Sequence, residues 1–360
     1  MDTAVLDTPL HQAHQLRLRA AVPSASASGP APASASAPAA PGPTWVYLDD
    51  AAAGFRLEPR TRAGVVPALT QSAGEPPTLR LQLDAGAHGV LVETAPTDDG
   101  VSADWQLELQ LGAGAWLQHL RLWPARSGAV RQVHAHLGAE ARYDQALLCA
   151  ATAGSDRTEV RLDGDGARAH VGSVLLAAAG RFEHAVHTEQ RGRDSQAGIE
   201  TLVLAAGSAR VEADARSVQA PRAQGARVRQ RLAGIPVAGQ PRVRLRPHLE
   251  ILHDDVQAAH GATWGALPEE AVFFACQRGL DAAQARRLVL AGMAQSVLER
   301  AVEAADLQRV LLRWGDGGGE APQPAAAADA TDATDATDAL QAALTNWLQP
   351  LTADSGDRHG

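Results

Sequence analysis

Apolar and polar residues alternate along the middle of the chain in short runs, most closed by a glycine–alanine pair. Leu79, Leu81 and Leu83 precede Gly86-Ala87; Leu107, Leu109 and Leu111 precede Gly114-Ala115; the run from Val133 to Leu137 precedes Gly138-Ala139. Val160 and Leu162 before Gly166-Ala167, and Leu202 and Leu204 before Gly207, continue the series. A period of two sends successive side chains to opposite faces of an extended chain, so each run predicts a strand with one buried face. With Ala87, Ala115, Ala141 and Ala167 as phase markers, the steps are 28, 26 and 26 residues. A step of that size predicts a stacked β-solenoid, in which each coil buries its aliphatic side chains against the next. A β-sandwich offers similar strands, but its hairpins carry no such phase.

Towards the C-terminus the period changes. His248 to Leu252 still alternates, and His260-Gly261-Ala262-Thr263 reads as a turn-forming link because Gly261 tolerates backbone angles that other residues avoid. From Pro268 the pattern is helical: proline suits a first turn, Glu269 and Glu270 complement the N-terminal dipole, and Gly279 can close the helix in the left-handed conformation. Phe273, Phe274 and Cys276 lie on one side of it. Asp281 then caps a second helix with Ala285, Leu288, Val289, Gly292 and Met293 on one face. The helical period runs on through Leu307, Val310, Leu311 and Trp314.

These readings divide the chain into five parts. Residues 1–43 hold a short amphipathic helix around Leu10, Ala13, Leu16 and Leu18, followed by an Ala/Ser/Pro/Gly-rich linker. Residues 44–264 form the β core, with Trp45 to Leu48 as its first strand candidate, and 265–314 the helical domain. Residues 315–337, with three Asp-Ala-Thr repeats, are a linker. Residues 338–360 carry a last helix whose stripe of Leu340, Leu344, Trp347, Leu348 and Leu351 must dock on something, this chain's own helices in the first place.

Composition narrows the chemistry. All 32 basic side chains are arginine, the net charge is −9, and no basic tract exists to neutralise phosphates, which speaks against nucleic-acid binding. No Gly-x-x-x-x-Gly-Lys-Ser/Thr loop exists in a chain without lysine, and no Gly-x-Ser-x-Gly elbow occurs, so the sequence carries neither a P-loop for nucleotide hydrolysis nor a nucleophile elbow. Acidic residues stand near the start where a signal peptide carries basic ones, and no long apolar run follows; a cytoplasmic, membrane-free protein is expected. Cys149 and Cys276 are the two cysteines. Each sits in an apolar run and reads as a packed small side chain. His134 with His136, and His184 with His187 ahead of Ser195, read as polar side chains on solenoid coils rather than as metal sites. The arginine run Arg222, Arg227, Arg229, Arg231, Arg242, Arg244 and Arg246 reads as a solvated sheet face.

His260-Gly261-Ala262-Thr263, followed by the acidic helix start, Phe273-Phe274 and Arg278-Gly279-Leu280, resembles the SufB/SufD family of iron–sulfur cluster assembly proteins. Leu249-Glu250-Ile251 and Asp254-Asp255-Val256 fit the family's preceding segment. The resemblance covers roughly residues 79–313 and is strongest over 247–287. It leans to the SufD branch, because the cysteines of the cluster-carrying SufB partner are missing. The family implies a right-handed parallel β-helix core with a C-terminal α-helical domain. It also implies a non-catalytic scaffold subunit of a SufBCD complex, pairing with a SufB-like subunit through the β-helix. A SufC-type ABC ATPase would dock on the C-terminal helices, where Phe273, Phe274 and Arg278 would lie.

Clusters are ordinarily held by up to four cysteine thiolates with histidine as an occasional ligand, so two distant cysteines cannot house one alone. The resemblance puts His260 at the interface as a possible shared ligand to a cluster that forms there transiently; no cofactor is expected to stay on this chain by itself. Relatives often carry cysteine two residues before this histidine. Here the position is Ala258. The competing readings are a solenoid enzyme acting on acidic polysaccharides and a purely structural solenoid.

Overall fold

The computed structural model describes residues 14–18, 44–49, 54–57, 63–67, 78–94, 105–123, 130–150 and 153–315, together with Leu344 and Leu348. The expected linkers at 22–43 and 315–337 lie outside these residues, except that Gly315 is the last residue of a helix.

From Thr78 the chain winds as a parallel solenoid with two strands to a coil. The odd strands β5 (Thr78–Leu83), β7 (Trp105–Leu111), β9 (Val130–Leu137), β11 (Ala153–Leu162), β13 (Arg181–Gln190), β15 (Arg210–Gln219) and β17 (Arg242–Ile251) lie side by side in a first sheet. The even strands β6 (His88–Thr94), β8 (Trp116–Trp123), β10 (Arg142–Cys149), β12 (Arg168–Ala177), β14 (Gln196–Ala205), β16 (Arg227–Pro236) and β18 (Gln257–Trp264) form a second sheet facing it. The register is one side chain per coil: Leu81, Leu109, Ala135 and Val160 stack in a column, as do Leu83, Leu111, Leu137 and Leu162. All are buried between the sheets. The phase markers are joined through the backbone at the turn. Ala87, Ala115, Ala141 and Ala167 each accept a hydrogen bond from the first residue of the next coil's even strand, and Ser195 continues that column.

This turn needs a left-handed residue, and Gly86, Gly114, Gly166 and Gly225 provide it at φ 64 to 70°. Glu140 takes the same place at φ 54° although it carries a Cβ. Left-handed backbone costs a non-glycine residue roughly 1–2 kcal/mol. We therefore expect Glu140→Gly to raise the urea midpoint, by the equivalent of about 0.5–1 kcal/mol once the entropy of glycine is subtracted; an unchanged or lowered midpoint would show that the turn is unstrained.

The two sheets differ in their outer faces. That of the first sheet meets solvent, so its strands alternate buried and accessible side chains, as in β9. That of the second lies under helices, and β8 and β10 are buried along almost their whole length. The covering helices follow α1 (Glu269–Cys276): they are α2 (Ala282–Ala301) and α3 (Ala304–Gly315). Leu290, Ala294, Val297, Leu298 and Ala301 of α2 pack on Leu120, Leu148, Val174 and Leu202 of the sheet. Gly172 permits the approach: a Cβ there would stand 2.7 Å from Ala301 Cβ and 2.9 Å from the Val297 carbonyl. Asp281 starts α2 with a reciprocal box, its carboxylate accepting from Gln284 N–H and its own N–H donating to Gln284 Oε1. The corner before α3 is held from across the molecule, where Gln118 accepts from Glu303 N–H and donates to the Asp306 carboxylate.

Four readings of the sequence need correction. His14–Leu18 is a strand, β1, not part of a helix; it runs parallel to β5, with Leu16 opposite Leu81 and Leu18 opposite Leu83. Leu16 and Leu18 fit a period of two as well as a helix, and the unpaired edge of β5 decides between them. The β core therefore begins before residue 44, while β2 (Thr44–Asp49) falls where expected. The remainder of residues 1–20 lies outside the described residues. His260 to Thr263 is the middle of β18, not a turn: paired to β16, Gly261 keeps an ordinary backbone, and the chain turns instead between Ile251 and Gln257. Finally, of the α2 face expected from the sequence, Ala285 alone is buried, and Leu288 is exposed. Leu344 and Leu348 of the terminal stripe are helical and buried in the same cluster as α2 and α3; the rest of residues 338–360 lies outside the described residues.

Candidate functional site

Stacking leaves the last coil without a neighbour. β17 and β18 end their sheets and are paired on one side only. Side chains that would be core in an inner coil therefore face outwards, with Ile251 half-exposed and Trp264 52% exposed. The Trp264 ring lies across Gly234, where a Cβ would come within 2.7 Å of it. An apolar open end with unpaired strand edges is a template for another chain, and monomeric proteins cover or charge such edges.

His260 belongs to this end. Its column in the second sheet runs Leu91, His119, Gln145, Val171, Ile199, Gln230, His260, all directed between the sheets in the inner coils. The histidine is exposed because no further coil covers it. Ala258 shares its face and places a methyl group two residues before the imidazole. Beneath His260, Gln230 is buried and donates to Ser217 Oγ (2.8 Å) and to the His248 carbonyl of the opposite sheet (3.0 Å). Ser217 Oγ meets Thr188 Oγ1 at 2.7 Å.

A second exposed surface lies on the first helix. Phe273 and Phe274 are 65% and 60% exposed, while Ala275 is the buried residue of α1. Neither phenyl ring is buried against the last coil. Arg278 folds back over Phe274, its guanidinium carbon 3.5 Å from the ring centroid and Nη1 donating to the Phe274 carbonyl. Beside α1 runs a groove of about 770 Å³, walled by Val289, Gly292, Met293 and Val297 of α2 and by Leu202 and Ala233 of the sheet. Three of the residues expected on the buried face of α2 line this groove instead.

The other histidines are distributed by strand geometry. His184 and His187 point to opposite sides of β13: the first is buried and bonded to Asp156 (3.0 Å), the second lies outside. His134 and His136 share the outer face of the first sheet and meet Glu159 and Asp163 at 3.3 and 3.6 Å. Ser195 Oγ donates to the Gly192 carbonyl within its turn. Arg227, Arg229 and Arg231 are exposed along one face of β16, and Arg244 and Arg246 pair with Glu212 and Asp214. Cys149 is buried between the sheets; Cys276 is only half-buried on α1.

One charged constellation was missed in the reading of the sequence. Between the sheets, Arg121 donates through Nε to Glu93 (2.7 Å) and forms an ion pair through Nη1 with Asp156 at 2.8 Å, and Asp156 is bonded in turn to His184. His119 approaches Glu93 at 3.3 Å and Tyr143 at 2.9 Å. All are buried. Burial by itself pushes the two carboxyls up, but Arg121, with His119 at Glu93 and His184 at Asp156, outweighs it and holds both below the usual carboxylate range. Burial lowers the His119 imidazole against the pull of Glu93. The signal was a glutamate inside the aliphatic run Val90-Leu91-Val92-Glu93 and an arginine inside Leu120-Arg121-Leu122.

Among the described residues no three His, Cys, Asp or Glu side chains gather to hold a metal ion, and no helix is long and apolar enough to cross a membrane. The site can offer the exposed imidazole of His260, an unpaired pair of strand edges and an exposed aromatic helix.

The family described as "SUF system FeS cluster assembly, SufBD core domain" matches residues 69–293, from just before β5 into the second half of α2. The iron–sulfur cluster assembly protein SufD of Escherichia coli (strain K12) is 34% identical over 73 residues, which is 20% of this chain and 17% of that protein. The chloroplastic protein ABCI7 of Arabidopsis thaliana is 36% identical over 58 residues, 16% of this chain and 12% of that protein. The aligned stretches thus span less than a fifth of either relative. The match to the family's core domain extends over more than half of the chain, and on that match this protein belongs to the SufBD core family of the SUF system for iron–sulfur cluster assembly.

Proposed function

We propose that this chain is a SufD-like, non-catalytic scaffold subunit that completes its open solenoid end with a SufB-like partner and presents His260 to a cluster assembled between the two. The observation that carries the reading is the last coil, where an exposed imidazole stands on an uncovered apolar end whose strand edges lack neighbours. A partner solenoid with its own open end satisfies both the unpaired backbone groups and the exposed Ile251 and Trp264. The cluster is cargo: iron and sulfide meet at the junction, His260 lends a neutral nitrogen, and thiolates come from the partner. ATP hydrolysis belongs to a SufC-type ABC ATPase docked on Phe273, Phe274 and Arg278. Membership of the family supports this complex in general terms, and the exposure of the two phenylalanines supports the docking surface.

Two measurements test the reading. The tagged full-length protein, isolated from its own cells, should bring down a SufB-like protein and an ABC-type ATPase. His260→Ala should leave folding and co-purification unchanged while cluster formation by the complex falls at least tenfold. Normal cluster yield would remove His260 from the function, and absence of both partners would remove the scaffold role.

A further inference from the structure

Gln230 stands opposite His260 in the register of β16 and β18, on the face between the sheets. Neighbouring strands lie about 4.8 Å apart, so side chains at paired positions meet. The Gln230 amide cannot turn freely. Both its N–H bonds are used, on Ser217 Oγ and on the His248 carbonyl, and a flip would set the amide oxygen against that carbonyl, which can only accept. Its Oε1 is thereby fixed, and that atom is buried without a hydrogen-bond partner. A buried carbonyl oxygen in this position demands a donor. On the inner side its column neighbour is Ile199, and Ala258 and Ala262 flank His260 on β18; none has a side-chain N–H or O–H. The imidazole of His260 is the donor that the register supplies.

We infer that Gln230 is the positioning residue of His260, accepting one ring N–H on Oε1 so that the lone pair of the other nitrogen faces out of the open end. This rests on the functional reading of His260 given above, and deepens it. A neutral imidazole has one N–H and one lone pair, so holding the first orients the second. A histidine that ligates a metal ordinarily has its other ring nitrogen held by an acceptor in this manner, and loss of the acceptor typically costs 10–100-fold in affinity or activity. The orienting group comes here from the penultimate coil. Ser217 and Thr188 steady it from the opposite sheet.

The test uses full-length protein labelled with ¹⁵N in its histidine rings. A ring N–H of His260, assigned by its loss in His260→Ala, should exchange slowly with solvent. Gln230→Met, which keeps the volume and removes the acceptor, should abolish that protection, whereas Gln230→Glu, which keeps an oxygen, should retain it. In the complex with its SufB-like and ATPase partners, Gln230→Met should lower cluster formation about tenfold, the low end of the range above, and should cause no further loss when added to His260→Ala. Should Gln230→Met fail to fold, exchange protection in Gln230→Glu decides: protection retained supports the bond, and protection lost overturns it. A ring N–H equally protected in wild type and Gln230→Met overturns the inference, as does a loss of activity that persists undiminished in the His260→Ala background. If His260→Ala forms clusters normally while protection still depends on Gln230, the hydrogen bond stands and the functional reading of His260 falls. If His260→Ala is inactive and Gln230→Met changes neither readout, the positioning role falls alone.

Discussion

Replacing Arg121 with methionine is expected to destabilise the fold by about 3–5 kcal/mol, the range for breaking a buried ion pair by removal of one partner. The guanidinium lies between two buried carboxylates, Glu93 and Asp156, and both keep their charge because of it. Without it two anions face each other inside an aliphatic core, with His119 and His184 as their nearest cations once protonated. The urea midpoint of the full-length protein measures the loss. Removing all three charges, by Arg121→Met with Glu93→Gln and Asp156→Asn, should recover most of it, since a buried pair contributes little net stability but is costly to halve. A change below about 1 kcal/mol in the single variant, the worth of an exposed pair, would show that internal water already solvates the site.

The same group sets the acid limb of stability. Carboxyls depressed in the folded state stabilise it fully above their unfolded pKa, about 4. That contribution disappears as the pH falls through their lower folded values. In the wild-type protein Glu93 and Asp156 therefore keep their stabilising charge to a lower pH than ordinary carboxylates. In Arg121→Met burial acts unopposed by the guanidinium and raises both carboxyls, so acid unfolding should begin at a higher pH.

Gly172→Val is expected to unseat α2. The new Cβ would meet Ala301 Cβ at 2.7 Å and the Val297 carbonyl at 2.9 Å, and a helix carbonyl cannot rotate aside as a long side chain does. The helix must move or the strand must bend, at roughly 1–3 kcal/mol for overpacking. Displacement also removes the pair of hydrogen bonds from Arg300 to Glu200 that fastens the same turn of α2 to β14. Urea unfolding and protease cleavage between the solenoid and α2 should both report it. Gly198→Ala is the control on the neighbouring strand, because its Cβ would meet the His170 ring at an ordinary 3.4 Å. It should shift stability by no more than about 0.5 kcal/mol. Equal behaviour of the two variants would show that the contact under α2 is soft.

How far the fold can be read from residues depends on what covers each face. In the first sheet one face meets water, so Leu79-Leu81-Leu83 and its successors alternate and declare themselves. In β8 and β10 both faces are covered, and the alternation is lost for want of a polar side. The helical domain was legible at its helix starts, Pro268-Glu269 and Asp281, but not in its facing. Val289, Gly292 and Met293 form a helical stripe as good as the buried one, and they line a groove while Leu290, Ala294 and Val297 contact the sheet. The His-Gly-Ala-Thr segment was legible as a place but not as a conformation, since a glycine suits a turn and tolerates a strand alike.

The chain's residues determined by themselves the strand period, the recurrence of a small residue at each turn, the helix starts and the scarcity of sulfur. All of these depend on neighbours in sequence or on simple counts. Tertiary structure alone decided that Arg121 would meet Asp156 across the interior, that Gln230 would lie under His260, and that the last coil would be left uncovered. Those outcomes depend on residues about one coil apart in the chain and one strand spacing apart in space. A single-residue change of register sends every side chain of a strand to the other face, so such contacts exist only once the coils have stacked.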